Sequence, residues 1–212
     1  IGSDDEATIR NTDLGFYAAS DEDLFHDVSG SALTVCSDTN CADAELIIKA
    51  LNTYQPGASA SVLTHDFENN GTFIANGNTI RVNGSFDNNA TTTMGTSTLI
   101  FTATSTNETI DQTGSTVGTF YNLTLGETSG TSIFTASTSL DIDNALSVAF
   151  GTFARATTTL TVGGGLSTGA SGFWTGVGTT TFDGSVTAVW SDSNSTKQNI
   201  GNVLIDGTSK TV

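Results

Sequence analysis

The stretch Gly118-Thr119-Phe120-Tyr121-Asn122-Leu123-Thr124-Leu125-Gly126 decides the fold class. Its side chains alternate between two faces, as in a β-strand, and a glycine at each end predicts a turn on both sides. The alternation is expected to put Phe120, Asn122 and Thr124 on one face and Tyr121, Leu123 and Leu125 on the other.

The same shape returns in residues 199–207. Asn122 corresponds to Asn202 at an offset of 80 residues, and Thr98–Phe101 corresponds to Thr179–Phe182 at an offset of 81. Two landmarks with almost the same offset predict one structural period of this length that is used twice.

A shorter spacing lies inside the long one. Phe67 and Phe86 are 19 residues apart, Leu140 and Leu160 are 20 apart, and Leu160 and Phe182 are 22 apart. Short strands that recur about every 20 residues, with Gly, Asn and Ser at the corners, predict a parallel β-solenoid. Residues 65–212 would form roughly seven coils and stand about 34 Å tall at the spacing of paired strands. A β-sandwich is the alternative fold, but it does not account for the long self-similarity.

Composition supports an all-β chain. Of 212 residues, 36% are hydrophobic, 23 are glycine and one is proline, while strong helix formers are sparse and Thr, Val, Ile and Phe are frequent. The net charge of −16, with only six Lys and Arg, excludes nucleic acid as a favoured partner and disfavours anionic membrane surfaces. No stretch is apolar enough to predict a membrane-spanning helix. The chain begins at Ile1 without a visible signal segment, so we expect a processed chain or a fragment.

Residues 1–64 are predicted to form a small, acidic, β-rich N-terminal segment before the solenoid of residues 65–212. Short strands are expected at 14–18, 24–28 and 32–36. Residues 44–51 fit either a strand or a helix face, and the strand is favoured. A hairpin would then place 32–36 beside 44–51.

Cys36 and Cys41 are the only cysteines and lie near the turn of that hairpin. Because only two histidines are available to complete a zinc site, a local disulfide in an oxidising compartment is the favoured interpretation, with two free thiols as the alternative. Asp21, Asp23 and Asp27 offer hard oxygen ligands for Ca²⁺, although their spacing matches no established calcium loop. No cofactor is required by any motif.

The repeats resemble those of secreted bacterial surface proteins with β-solenoid repeats, of the adhesin and filamentous-haemagglutinin type. The phrases that carry the resemblance are 67–73, 85–89, 98–101, 119–125 and 159–164. The resemblance covers about two thirds of the chain and implies an extracellular or cell-surface protein that adheres, coats cells or forms fibres. It carries over no catalytic residue, and the cysteine pair and the acidic N-terminal segment depart from it.

Candidate sites are few. Trp174 and Trp190 are candidates for a sugar-stacking platform, but core or rim packing is the favoured interpretation. Thr-x-Thr triplets at 102–104, 157–159 and 179–181 would suit ice binding if they formed a flat array, and β-propensity is the simpler explanation. Arg81, Arg155, Lys197 and Lys210 are scattered, and the run 163–165 lacks the lysine of a phosphate loop, so no catalytic site is predicted. Six Asn-x-Ser/Thr triplets permit glycosylation, at Asn70, Asn83, Asn89, Asn107, Asn122 and Asn194.

The sequence therefore predicts a non-enzymatic, extracellular structural subunit. Terminal coils of a solenoid expose unpaired strand edges, so we expect a homo-oligomer, a filament built head to tail. A carbohydrate-binding or lyase-like β-helix and an ice-binding solenoid are the alternatives.

Overall fold

The computed structural model describes residues 24–26, 32–34, 45–51, 53–114, 119–184 and 187–206. These residues form strands and no helix. The strands are β1 (Leu24–His26), β2 (Ala32–Thr34), β3 (Glu45–Ile48), β4 (Thr53–Pro56), β5 (Ser61–Thr64), β6 (Asp66–Asn69), β7 (Thr72–Ile74), β8 (Thr79–Val82), β9 (Phe86–Asn88), β10 (Thr91–Thr93), β11 (Thr98–Phe101), β12 (Asn107–Asp111), β13 (Phe120–Leu125), β14 (Ile133–Ala136), β15 (Leu140–Arg155), β16 (Leu160–Val162), β17 (Leu166–Thr175), β18 (Thr179–Phe182), β19 (Trp190–Asp192) and β20 (Asn202–Ile205).

The strands stack as a parallel β-solenoid of about 7 turns, with coils about 21 residues apart. Every strand pair among the described residues is parallel, which excludes the β-sandwich. The predicted fold class is thus confirmed. The predicted strand in 44–51 is also confirmed, as β3.

Three ladders of strands run along the solenoid. The first ladder is β2, β5, β8, β11, β13, β15, β17 and β19. The second ladder is β3, β6, β9, β12, β14, β15 and β17. The third ladder has two parts, β1, β4, β7 and β10 in the early coils and β13, β15, β16, β18 and β20 in the later ones, and no strand pair among the described residues joins the two parts. The long strands β15 and β17 bend from one ladder to the next, so they belong to more than one.

The ladders correct the prediction of an 80-residue period. Asn122 lies in the first ladder, paired with Thr98, whereas Asn202 lies in the third ladder, paired with Thr179. The offset therefore equals a whole number of coils plus a shift from one ladder to another. The two stretches look alike because each ladder needs the same alternation of inward apolar and outward polar residues.

The opening stretch is also less regular than predicted. A bulge between Phe120 and Asn122 shifts the register, so Phe120 is buried in the third ladder while Leu123 is buried in the first. The strict two-face alternation predicted for this stretch is wrong at this point.

The N-terminal segment is not separated from the solenoid by strand pairing. β2 pairs with β5, and β3 pairs with β6, in parallel across residue 65. The predicted hairpin of 32–36 with 44–51 is absent from these pairings, and the described strands before residue 65 stack with those after it.

The core consists of inward side chains that stack on like residues of the next coil. Phe67 and Phe86, paired in the second ladder, stack with ring centroids 4.9 Å apart and an interplanar angle of 12°. Beside them, amides form a buried ladder: Asn69 Nδ2 donates to Asn88 Oδ1 at 2.8 Å, and Asn88 Nδ2 donates to Gln112 Oε1 at 3.1 Å. Both kinds of ladder fix the register, because a slip by one residue would place polar groups against rings.

Candidate functional site

The C-terminal coil, residues 190–206, is the part of the described solenoid that is not covered by a further coil. Among the described strands, β19 pairs only with β17, and β20 pairs only with β18. Each strand therefore has one edge of backbone N–H and C=O groups that no described strand bonds. Such edges are templates for strand addition.

The first ladder carries an apolar column up to this end. In register, Val62, Ile80, Leu99, Leu123, Leu146 and Leu166 stack one above the other, and Trp190 follows them. Leu166 is buried, whereas Trp190 is 38% exposed. The tryptophan thus occupies a core position of the coil while part of its ring faces solvent.

The third ladder ends in the same way. Val203 pairs with Thr180, and Ile205 pairs with Phe182. Thr180 and Phe182 are fully buried, but Val203 is 46% and Ile205 is 48% exposed. Together, Trp190, Val203 and Ile205 form an apolar surface that we call the open end.

The second ladder ends differently, because a loop closes it. Asn194 Nδ2 donates to the carbonyl oxygens of Gly169 and Gly172, each at 2.9 Å. The backbone N–H of Trp174 donates to Gln198 Oε1 at 3.2 Å. These backbone groups belong to β17. Side chains of residues 192–198, which we call the closing loop, therefore bond groups that a further strand would otherwise bond.

Asp192 holds the closing loop in shape. Its Oδ2 accepts from the Gln198 N–H at 2.6 Å and its Oδ1 from the Asn194 N–H at 2.9 Å. These hydrogen bonds lower the pKa of Asp192, and the one from the Gln198 N–H has the largest effect. Lys197 Nζ donates to the carbonyl oxygens of Asp192 and Asn194 at 2.7 and 2.8 Å, and Lys197 is exposed.

A buried arginine ties the last coils together. Arg155 is 3% exposed, and its guanidinium donates to Thr179 O at 2.9 Å, to Thr180 Oγ1 at 2.6 Å and to Ile200 O. It also lies 5.6 Å from the ring centroid of Trp174. Burial lowers the pKa of Arg155. Because its bonds reach the first two residues of β18 and a residue just before β20, Arg155 fixes the end of the stack from inside.

An acidic column runs along the outer side of the second ladder. Glu68 pairs with Asp87, which pairs with Asp111. Burial raises the pKa of Asp87, and the charges of Asp111 and Glu68 raise it further, against a hydrogen bond from Asn89 that lowers it. In β3, burial likewise raises the pKa of Glu45, and the negative charges of Glu68 and Asp66 raise it further. This wall therefore carries like charges one coil apart.

The two tryptophans do not form one platform. Trp174 is 8% exposed, donates from Nε1 to Thr168 Oγ1 at 2.9 Å, and meets Phe153 edge to face at 5.0 Å. Its ring is covered, so the core-packing interpretation holds for Trp174. Trp190 lies on the open end, and sugar binding there stays a prediction.

The predicted glycosylation sites differ in accessibility. Asn89 and Asn107 are exposed, while Asn70 and Asn83 are half-buried. Asn122 is held in a ladder in which Asn144 Nδ2 donates to its Oδ1 at 2.8 Å. Asn194 is buried and its Nδ2 makes the hydrogen bonds of the closing loop, so that atom is not free for a glycan.

Other predicted positions lie outside the described residues: Cys36, Cys41, Asp21, Asp23, Asp27 and Lys210. The disulfide and calcium sites stay predictions. Within the described ranges, no group of three or more His, Cys, Asp or Glu side chains is placed to hold a metal ion. The same ranges contain no helix with the length and apolarity needed to cross a membrane.

The remaining candidates are separated or structural. Arg81 pairs with Glu127 (Nη2 to Oε1, 2.8 Å) on the outside of the solenoid, far along the chain from Arg155.

Thr161 and Thr181 are in register, but Asp141 and Leu204 occupy the adjoining rungs, so this threonine array extends over two coils. Within the run 163–165, a Cβ on Gly163 would lie 2.1 Å from Asp143 O. That glycine serves a close approach of two coils.

The open end, the closing loop and the buried arginine are not predictable as a unit from the sequence. Trp190, Asn194, Lys197 and Arg155 are each candidates of the sequence analysis, but no pattern in the sequence indicates that they lie in the last described coils. A scan against protein-family models and searches of curated proteins and of solved structures found no match for this chain.

Proposed function

We propose that this chain is a non-enzymatic structural solenoid of the extracellular space or the cell surface. Its copies stack end to end as the subunits of a fibre, coat or adhesin. The observation that carries the proposal is the open end: three side chains at core positions, Trp190, Val203 and Ile205, are partly exposed beside two strand edges that no described strand bonds.

Strand addition is the interaction that such an end favours. A further coil would bond the edges of β19 and β20 that the described strands leave unpaired, and it would cover the apolar surface. A contact between different ends of identical subunits does not close on itself, so it generates a filament. Lateral association is disfavoured, because the net charge of −16 and the acidic outer column repel neighbouring walls.

The apolar surface alone does not supply the free energy of assembly. Covering the exposed part of Trp190, Val203 and Ile205 contributes roughly 1 to 2 kcal/mol each on the scale of buried apolar area. Association costs about 4 to 15 kcal/mol in lost translational and rotational freedom. The strand edges must therefore pair as well, and stacking is expected only in register.

Two double variants test the proposal. Val203→Asp with Ile205→Asp places two charges on the open end, while Thr124→Asp with Ser147→Asp places two charges on the outer side of the first ladder in mid-stack. We expect wild type and the second variant to form end-to-end chains in electron micrographs and in sedimentation velocity, and the first variant to stay monomeric. Monomeric wild type, or chains formed equally by both variants, would contradict the proposal.

The cellular location has its own test. Antibodies against the purified chain should label intact cells that express it natively. Labelling only after the cells are permeabilised would refute an extracellular or cell-surface location.

A further inference from the structure

Three asparagines of the early coils are each followed by glycine: Asn70, Asn76 and Asn83. In an Asn-Gly pair, the backbone nitrogen of the glycine can attack the side-chain carbonyl carbon of the asparagine, because glycine has no side chain to obstruct the approach. The reaction needs a backbone N–H that no acceptor holds and an amide that water reaches. The structure separates the three asparagines on both counts.

The first and the third of these pairs are held by neighbouring groups. The Gly71 N–H donates to Asn69 Oδ1 at 3.1 Å, and the Gly84 N–H donates to His65 O at 2.7 Å. Both glycines are buried. In either pair, attack by the glycine nitrogen first requires the loss of a hydrogen bond inside the stack of coils.

The pair Asn76-Gly77 lies at an exposed corner of the solenoid. It forms the middle of a turn that the Asn78 N–H closes by donating to Ala75 O at 3.1 Å. Asn76 and Gly77 are both exposed and have positive φ angles of 56° and 75°. Among the described residues, no acceptor binds the Gly77 N–H, and a Cβ on Gly77 would meet only Thr96 Oγ1, at 3.3 Å. The backbone nitrogen of this pair is therefore not engaged, and the corner has space to move.

The Asn76 amide is anchored on one side only. Its Nδ2 donates to Pro56 O in the preceding coil at 3.1 Å, while no described residue donates to its Oδ1. The equivalent positions of the turns before and after it are Ala58 and Gly95, so neither neighbouring coil offers a second amide there. Asn76 therefore stands outside the amide ladders of the described coils, and water reaches its side-chain carbonyl carbon.

We propose that Asn76 is a site of spontaneous covalent modification in the folded protein, at which the amide is converted to a carboxylate. The Gly77 nitrogen forms a bond to Asn76 Cγ, the bond from Cγ to Nδ2 breaks, and the proton of the Gly77 N–H leaves with Nδ2 as ammonia. Water then opens the succinimide ring. Opening at Cγ gives aspartate, and opening at the main-chain carbonyl gives isoaspartate. Water is the only co-reactant, and the change does not depend on end-to-end assembly.

Either product weakens the contact between two coils. A carboxylate cannot donate to Pro56 O, so the hydrogen bond from residue 76 is lost and a negative charge faces a carbonyl oxygen. Isoaspartate also lengthens the backbone of the turn next to Asn78, whose Nδ2 donates to Gly57 O and to Ala75 O at 2.9 Å each. The amides of residues 75–78 should therefore exchange their hydrogens faster after modification.

Peptide mapping by mass spectrometry tests the proposal on the purified chain, kept folded in warm, mildly alkaline buffer. Conversion at Asn76 should be at least about tenfold faster than at Asn70 and Asn83, because the two held pairs must first break a buried hydrogen bond. An isoaspartate methyltransferase should label the peptide that contains residue 76. As a matched control, the chain unfolded in urea should convert all three asparagines at rates within about threefold of one another, since glycine follows each.

The outcomes decide between the fold and the local sequence. Equal rates at the three asparagines of the folded chain, or no conversion at Asn76, would overturn the inference. A preference for Asn76 of the same size in the unfolded chain would also overturn it, because the local sequence would then explain the preference without the fold. Asn76→Gln, whose longer side chain would have to close a larger ring, should show no conversion at this position. Unchanged hydrogen exchange at 75–78 in the modified chain would refute the loosening of the corner.

Discussion

Asn88 gives the sharpest test of the stacked register. It is fully buried, its Oδ1 accepts from Asn69 Nδ2 at 2.8 Å and from Thr92 Oγ1 at 2.8 Å, and its Nδ2 donates to Gln112 Oε1 at 3.1 Å. Asn88→Ala removes all three hydrogen bonds and leaves Gln112 Oε1 without that donor inside the core. Each buried polar group that loses its partner costs about 1 to 3 kcal/mol, so the free energy of unfolding should fall by roughly 2 to 4 kcal/mol.

The neighbouring asparagine is a matched control. Asn89 belongs to an outer ladder of the same register, in which its Nδ2 donates to Asn70 Oδ1 at 3.2 Å and its Oδ1 accepts from Thr113 Oγ1 at 3.0 Å, but it is exposed. Water replaces the lost partners there, so Asn89→Ala should change stability by less than about 0.5 kcal/mol. Urea unfolding with linear extrapolation measures both values. Equal losses in the two variants, or a loss below about 1 kcal/mol for Asn88→Ala, would refute the buried amide ladder.

Three further predictions concern charge, the last coils and modification. Because the pKa of Asp87 is raised in the folded protein, folding favours the protonated carboxyl. This contribution to stability is present in full below the ordinary pKa of 3.8, and it is lost as the pH rises through the raised pKa. Asp87→Asn should therefore leave stability at pH 3 unchanged and raise it at neutral pH, as urea titrations at both pH values would show. Arg155→Met should lower hydrogen-exchange protection of the amides in 202–206 and leave that of 79–101 intact, because carbonyls around the last coils lose a charged donor; equal loss in both ranges would contradict this. In a glycosylating host, mass spectrometry should find glycan on exposed Asn107 and none on Asn194, whose Nδ2 is engaged in the closing loop.

The coil was predictable from the sequence because stacked positions repeat residue types. Phe67 and Phe86, like Leu140 and Leu160, are paired in the structure at the spacing that the sequence indicated. Side chains of like shape fill the space between successive rungs, so the pattern along the chain reports directly on contacts between coils.

The longer period was not predictable in the same way. Asn122 and Asn202 share a local pattern but lie in different ladders, because every ladder selects for the same alternation. A sequence comparison detects the pattern and not the ladder. The bulge at Phe120 has the same consequence, since it turns the strand from one ladder to another without a local signal such as proline.

The features of the last coil depend on contacts distant in sequence. Arg155 bonds Ile200 O, 45 residues away, and Asn194 bonds Gly169 and Gly172. In the sequence, each is an ordinary polar residue near a turn. The flat ring of Trp190 makes it a candidate sugar platform in the sequence, but its position above Leu166 makes it a core residue of a coil that no further described strand covers.

Fibre diffraction from aligned assemblies tests the central claim most directly. If copies stack along the solenoid axis with strand pairing across each junction, the reflection at about 4.8 Å, the spacing of paired strands, must lie on the meridian, parallel to the fibre axis. A reflection of that spacing on the equator would mean that the solenoids lie across the fibre, and end-to-end stacking through the open end would then be wrong.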